Sequence, residues 1–92
     1  MKKNNVKKDD YESQYDFEID YEMFNTEEIV KIFNFFGLVL KNAKHPVRKD
    51  ELIQSYNEYR KILNNKSLEK QYDKNFEKKT GISIYKTIKS IS

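Results

Sequence analysis

A chain of 92 residues has room for one domain with a thin hydrophobic core, because a protein of this size buries only about 60 to 65% of its unfolded surface. The chain has no cysteine, which excludes disulfides and cysteine-based zinc sites, and nothing in the composition indicates an oxidising compartment. The net charge of +3 hides an uneven distribution: residues 9–28 carry nine acids and no Lys or Arg, whereas residues 29–92 carry 14 basic and six acidic side chains. We interpret these charges as a solvated surface, and the alternative is that the acidic segment lies across the basic body.

The apolar segments are too short to cross a membrane. The longest run, from Ile29 to Leu40, is interrupted by Lys31 and Asn34 and falls short of the roughly 20 residues that a spanning helix needs. The N-terminal residues include lysines but no apolar stretch of the kind found in a secretion signal. We therefore expect a cytoplasmic protein that does not interact with a membrane.

The N-terminal part of the chain has no helical pattern. Residues 1–14 are polar, charged and without periodicity, which predicts a disordered tail before a single helical domain over residues 15–92. At the start of that domain, apolar side chains alternate with acids, which is formally a strand signal. No second alternating run exists to pair with this one, so we predict an extended arm that lays its apolar side against the helices. The apolar positions of the arm are Tyr15, Phe17, Ile19 and Tyr21.

The first helix is predicted over residues 26–42 and carries more apolar surface than one side can bury. Asn25 followed by Glu28 is a capping-box pattern, and Pro46 disfavours helical geometry at the preceding residue. At 100° per residue the apolar side chains cover roughly 220° of the helix, where a surface helix shows a stripe of about 100°. We expect this helix to be covered on two or three sides. The apolar positions are Ile29, Val30, Ile32, Phe33, Phe35, Phe36, Val39 and Leu40.

Three shorter amphipathic helices are predicted after the first. Ser67 is the expected N-cap of the third helix, Gly81 is expected to end it, and Ser83 is expected to cap the fourth. The predicted fold is therefore all-α, a small bundle of four helices with an extended N-terminal arm. The last three helices are predicted over residues 49–63, 67–80 and 83–90, and the inward positions of the fourth are predicted to be Ile84, Tyr85, Ile88 and Ile91.

Five segments, taken in order, resemble the small YktA-like uncharacterised protein family of low-GC Gram-positive bacteria. They are YDFEID, NTEEIVKIFNFF, SYNEYRKI, KSLEKQ and FEKKTGISIYKTIK, and the resemblance covers residues 15–89. It implies a compact all-helical domain, and the family has no assigned activity, cofactor or binding residues to transfer. Where the family has an acidic cap before the second helix, this chain has Arg48, and Asp50 is the alternative cap.

No catalytic or cofactor-binding motif is present. His45 is the single histidine, so a histidine metal site or a nucleophile-base pair lacks its second member. Acidic side chains adjacent in sequence, such as Asp50 and Glu51, are typical of solvated surfaces, and with two glycines in the chain a phosphate-binding loop is hard to build. We expect no enzyme activity, no cofactor and no metal site.

Two functions are consistent with this pattern. The preferred one is a protein-interaction module, with a homodimer as one form of it, that uses apolar surface on the first helix and the arm. The alternative is a nucleic-acid-binding protein in which the second and third helices form a helix-turn-helix-like pair, with Glu69 and Asp73 opposing contact with phosphates. The predicted interaction surface consists of Tyr15, Phe17, Tyr21, Phe35 and Leu38.

Overall fold

The structure, a computed structural model, describes residues 17–91, which form four α-helices and contain no β-strand. The prediction of an all-α bundle is confirmed for these residues. The predicted disordered tail of residues 1–14 and Tyr15 of the predicted surface lie outside the described residues. The helices are α1 (Thr26–Lys44), α2 (Lys49–Leu63), α3 (Lys66–Thr80) and α4 (Ile84–Ile91).

α1 begins at the predicted capping box. The Glu28 N–H donates to Asn25 Oδ1 at 2.8 Å, and the Asn25 N–H donates to Glu28 Oε1 at 3.0 Å. The helix continues through Lys44, two residues beyond the predicted end, and stops where His45 takes an extended conformation before Pro46. The predicted effect of Pro46 on the preceding residue therefore ends α1, but the helix extends two residues further than predicted.

α2 has the predicted bounds but a weak N-terminus. Arg48 is the N-cap residue and makes no side-chain capping bond, while Asp50 Oδ1 accepts from the Glu51 N–H at 2.9 Å. The loop before it is closed by α1, because Asn42 Oδ1 accepts from the Val47 N–H at 3.1 Å. The bond from Asn42 therefore fixes the loop that joins α1 to α2.

The turn between α2 and α3 is made by two asparagines. Asn64 takes a left-handed conformation with φ of 52°, which asparagine tolerates better than most residues, and ends α2. Asn65 is extended, and its side chain accepts from the Leu68 N–H at 3.0 Å. The prediction of Ser67 as the N-cap is therefore wrong. Asn65 makes the capping bond, so α3 starts at Lys66, one residue earlier than predicted.

The junction between α3 and α4 uses the predicted residues. Gly81 has φ of 79°, a region that glycine enters without a Cβ penalty. The Thr80 hydroxyl donates to the Phe76 carbonyl at 2.8 Å and accepts from the Ile82 N–H at 3.1 Å, so one side chain satisfies both backbone groups. The Ser83 hydroxyl accepts from the Lys86 N–H at 3.1 Å, which confirms it as the cap of α4.

The core is built from aromatic rings around Phe36 of α1. The centroid of this ring lies 4.8 Å from that of Phe76 on α3 and 5.6 Å from that of Tyr59 on α2. Edge and offset contacts of this kind stabilise a core beyond the area they bury. The prediction that α1 is covered on more than one side is confirmed. The other buried hydrophobic residues are Phe17, Ile19, Phe24, Ile32, Phe33, Phe35, Val39, Leu52, Leu63, Tyr72 and Ile84.

The arm, residues 17–24, joins α1 to α3. Phe17 stacks on Phe76 with centroids 5.4 Å apart and lies 4.8 Å from Phe36. Two polar contacts accompany it: Glu18, at φ of 58°, forms an ion pair with Lys79 at 3.4 Å, and the Asp20 N–H donates to the hydroxyl of Tyr72 at 3.1 Å. The arm therefore supplies rings and hydrogen bonds where the two helices would otherwise leave a gap.

Candidate functional site

The structure separates the residues of the predicted interaction surface. Phe17 and Phe35 are buried, with 3% and 0% of their surfaces exposed, so neither belongs to a contact surface of the folded monomer. Tyr21 is 60% exposed, because a turn closed by the Met23 N–H and the Asp20 carbonyl ends the alternation of the arm. Leu38 is half-buried. Of the predicted residues that the structure describes, only Tyr21 and Leu38 reach the surface.

Phe35 is buried because α2 places two tyrosines against it. Its ring centroid lies 4.6 Å from that of Tyr59 and 5.7 Å from that of Tyr56. The sequence showed the wide apolar arc of α1 but not which side of it α2 would cover. Phe35 therefore belongs to the core, and its assignment to the interaction surface was wrong.

Leu38 lies in a shallow groove between α1 and α2, here called the α1–α2 groove, which has a volume of about 480 Å³. α1 contributes lysines to the groove and α2 contributes glutamates, so the two sides carry opposite charges. The groove is lined by Lys31, Asn34, Gly37, Leu38 and Lys41 of α1 and by Glu51, Gln54, Ser55 and Glu58 of α2.

A larger cleft of about 890 Å³ lies between α2, α3 and the start of α4 and is called the α2–α4 cleft. Tyr85 is 64% exposed at this cleft, with the Lys89 ammonium 5.6 Å from the centroid of its ring. The prediction that Tyr85 faces inward is wrong. Ile84, Ile88 and Ile91 lie within about 60° of arc and cover the core, whereas Tyr85 is rotated about 100° from Ile84. The cleft is lined by Tyr56, Arg60, Lys66, Ser67, Glu69, Lys70, Asp73, Lys74, Glu77, Ser83, Ile84 and Tyr85.

A hydrogen bond between Tyr59 and Asp73 closes the inner side of this cleft. The Tyr59 hydroxyl donates to Asp73 Oδ1 at 2.7 Å, and the tyrosine side chain is fully buried. Burial raises the pKa of Tyr59, and the neighbouring Asp73 carboxylate raises it further. Burial also raises the pKa of Asp73, partly offset by the hydrogen bond from Tyr59. The pair fixes α3 against α2.

The second polar contact in the cleft joins Arg60 to Glu69. Arg60 Nε lies 3.3 Å from a carboxylate oxygen of Glu69, whose side chain is 18% exposed, and the guanidinium carbon lies 5.5 Å from the centroid of the Tyr56 ring. Burial and the nearby Glu69 raise the pKa of Tyr56, with Arg60 opposing them. Arg60 therefore neutralises one acid of the cleft and covers one of its aromatic faces.

Replacing Asp73 with asparagine tests this electrostatic arrangement. The folded state holds a proton on Asp73 more tightly than the unfolded state does, because its pKa is raised on folding. The stability that this residue contributes is therefore greatest at low pH and decreases as the pH rises through the folded-state pKa.

Asp73→Asn keeps an oxygen that accepts the hydrogen bond of the Tyr59 hydroxyl. We expect the free energy of unfolding of the variant, minus that of the wild type, to increase between about pH 3 and 7. Urea titrations across this range measure it, and a difference that does not change with pH would contradict the assignment.

The described residues show neither a metal site nor a membrane span. His45 is exposed in the loop between α1 and α2, and across residues 17–91 no three His, Cys, Asp or Glu side chains are grouped so that they could hold a metal ion. No helix within the same range combines the length and the apolar composition needed to cross a bilayer.

The features of the α2–α4 cleft were only partly visible in the sequence. The spacing of Glu69 and Asp73 by four residues places them on one face of α3, which a helical projection shows, but it does not show that α2 lies against that face. The same projection applied to Ile84, Ile88 and Ile91 would have separated Tyr85 from the inward residues.

The comparisons with known proteins agree with the resemblance found in the sequence. The model of an uncharacterised protein family, UPF0223, matches residues 10–92. A UPF0223 protein of Streptococcus agalactiae is 35% identical over 78 residues, which is 85% of this chain and 83% of that protein. The UPF0223 protein YfdD of Lactococcus lactis is 32% identical over 77 residues, 84% of this chain and 82% of that protein. A UPF0223 protein of Bacillus cytotoxicus is 32% identical over 75 residues, 82% of this chain and 83% of that protein. No solved structure matches the chain.

Proposed function

The chain belongs to UPF0223, a family of uncharacterised proteins, and from this premise we propose that it is a non-catalytic, cytoplasmic protein-interaction module whose docking site is the α2–α4 cleft. The observation that carries the proposal is the exposure of Tyr85 beside this cleft. Tyrosine supplies a large contact area at a low entropic cost and is enriched in protein interfaces. A small domain with an exposed aromatic side chain next to a concave surface has the features of a docking site.

Affinity capture from a native lysate tests this function. We expect the wild-type protein to retain a partner that Tyr85→Ser releases, because the substitution removes the exposed ring and leaves the core unchanged. Tyr21→Ser is the matched control, since Tyr21 is equally exposed but belongs to the arm. Retention of the same proteins by wild type and Tyr85→Ser would contradict the assignment of the cleft, and release by Tyr21→Ser alone would favour the arm.

A homodimer is the second form of the proposal, and the charges of the α1–α2 groove favour it. A two-fold axis parallel to the groove would set the lysines of each α1 against the glutamates of the other copy's α2. Lys41 and Glu51 flank the loop between the helices, so their levels along the groove correspond. Light scattering after gel filtration is expected to show a dimer that Leu38→Glu dissociates without loss of helical content. A monomer at all accessible concentrations would exclude this form.

Nucleic-acid binding by α2 and α3 remains the alternative function. The acids that opposed it, Glu69 and Asp73, contact Arg60 and Tyr59 of α2, so they are partly removed from the outer face of α3. Against it, the chain is poor in arginine, the residue that recognises phosphates and bases most often. The experiment described below separates this alternative from a protein ligand.

A further inference from the structure

The outer face of α3 carries a line of lysines, here called the lysine ridge, formed by Lys66, Lys70, Lys74 and Lys78. All four residues are exposed, and none of them forms an ion pair with another residue in the range 17–91. Because they recur every four residues, successive ammonium groups are about 6 Å apart along the helix axis, and the ridge is about 18 Å long. Its first three members line the α2–α4 cleft.

Two of the three acids of α3 that line the cleft are directed away from this ridge. Glu69 pairs with Arg60, and Asp73 accepts the hydrogen bond of Tyr59, so both carboxylates are directed toward α2. Glu77 is the exception, since it is exposed and lines the cleft near its end. Asp73 keeps its charge, because the tyrosine is neutral, so the excess of positive charge lies on the outer face of α3, at the edge of the cleft where the lysines are exposed.

An exposed aromatic ring accompanies the charge. Tyr85 is 64% exposed at the cleft, whereas Ile84 at its floor is 1% exposed and Arg60 covers one face of Tyr56. A ligand that is complementary to this surface needs carboxylates at intervals of about 6 Å, opposite the ammonium groups of the ridge, and apolar side chains beside them. An α-helix with acids at every fourth residue has the same axial spacing of about 6 Å, and its row of acids aligns with the row of lysines when the two helix axes cross at about 50°. An extended chain has about 6.7 Å between alternate residues and does not match this spacing.

We infer that the α2–α4 cleft binds an amphipathic helix of a partner protein, with carboxylates at positions i, i+4 and i+8 facing the lysine ridge and apolar residues against Tyr85. This inference rests on the proposed function and specifies its ligand. Docking of an apolar helix face in a groove is a general mode of peptide recognition, and here the charge on the ridge determines which helices are accepted.

A pair of designed peptides tests the inference. The first is a helix of about 20 residues with Glu at three positions spaced by four and Leu at the flanking positions, and the second has Gln in place of each Glu. We expect the Glu peptide to bind at least about tenfold more tightly than the Gln peptide at low salt, and this difference to shrink as the ionic strength rises. Fluorescence anisotropy of labelled peptides measures both affinities.

Substitutions on the protein locate the contact. Lys70→Glu and Lys74→Glu are each expected to weaken binding of the Glu peptide by about three- to tenfold, and Glu77→Gln is expected to strengthen it. Lys44→Glu is the matched control, because it makes the same change in charge at an exposed position of α1 outside the cleft. Tyr85→Ser is expected to weaken both peptides equally.

Three results would overturn the inference. Equal binding of the two peptides, still sensitive to Tyr85→Ser, would show that the cleft docks proteins without selecting acids, so the proposed function would stand. Absence of binding by the Glu peptide would refute the ligand, while the capture experiment would still decide the function. Stronger binding of an oligonucleotide of about 20 nucleotides that depends on the same lysines, and that displaces the Glu peptide, would identify the ridge as a nucleic-acid surface.

Discussion

Phe35→Glu is expected to unfold the protein at neutral pH. The phenylalanine has no exposed surface and its ring contacts Tyr56 and Tyr59, so the substitution removes these ring contacts and places a carboxylate where no solvent reaches it. Loss of a buried aromatic side chain costs about 3 to 5 kcal/mol, and burial of an unpaired charge adds to this cost. The total is comparable with the whole stability of a small domain, about 5 to 10 kcal/mol. Far-ultraviolet circular dichroism should show loss of most of the helical signal.

Asn34→Glu provides the control for this experiment. Asn34 precedes Phe35 in α1 and is exposed at the α1–α2 groove, so the same charge enters the same helix without entering the core of the monomer. We expect its thermal midpoint to lie within a few degrees of that of the wild type. A folded Phe35→Glu variant with changed oligomeric state would restore Phe35 to the interaction surface predicted from the sequence and would contradict the packing described here.

Phe17→Ala is expected to have the second largest effect, because Phe17 joins the two sides of the core. Its ring contacts Phe33 and Phe36 of α1 and stacks on Phe76 of α3. Truncation to alanine leaves a cavity between these helices, and we expect a loss of about 3 kcal/mol in the free energy of unfolding. In a domain of this size that loss lowers the melting temperature by more than about 10 °C. Calorimetry or urea titration measures the change.

Two further variants show whether the effect comes from the ring. Phe17→Leu refills most of the cavity and should recover at least half of the lost stability. Met23→Ala changes a residue of the same arm that is 53% exposed, so it should cost less than about 0.5 kcal/mol. If Phe17→Ala were as mild as Met23→Ala, the arm would not be part of the core.

The backbone was predictable wherever a local signal decided it. The capping box of Asn25 and Glu28, the end of α3 at Gly81 and the cap at Ser83 each depend on side chains within a few residues of the bond they make. Such bonds form in nearly the same way whatever the rest of the chain does. The assignment of the α3 N-cap to Ser67 was wrong because Asn65 is also a good cap residue, and the turn made by Asn64 places Asn65 at the start of the helix.

The surface was less predictable, because it depends on which helix covers which face. The wide apolar arc of α1 predicted that this helix is mostly buried. Whether Phe35 belongs to the core or to the surface depends on where α2 packs, which the sequence does not show. The ion pair of Arg60 with Glu69 and the hydrogen bond of Tyr59 with Asp73 join different helices, so no local pattern reveals them. The cleft forms only when α2, α3 and α4 pack together. From the sequence alone, its lysines are typical of a solvated surface, because the sequence does not show that Glu69 and Asp73 face α2.

The position of the arm also affects how the protein is made. Phe17 is synthesised about 60 residues before Phe76, on which it stacks. At about 5 to 20 residues per second, the arm spends roughly 3 to 12 s of synthesis without its binding site. During this interval the apolar side chains of the arm lack their partner on α3, so the core can close only after Phe76 has been synthesised.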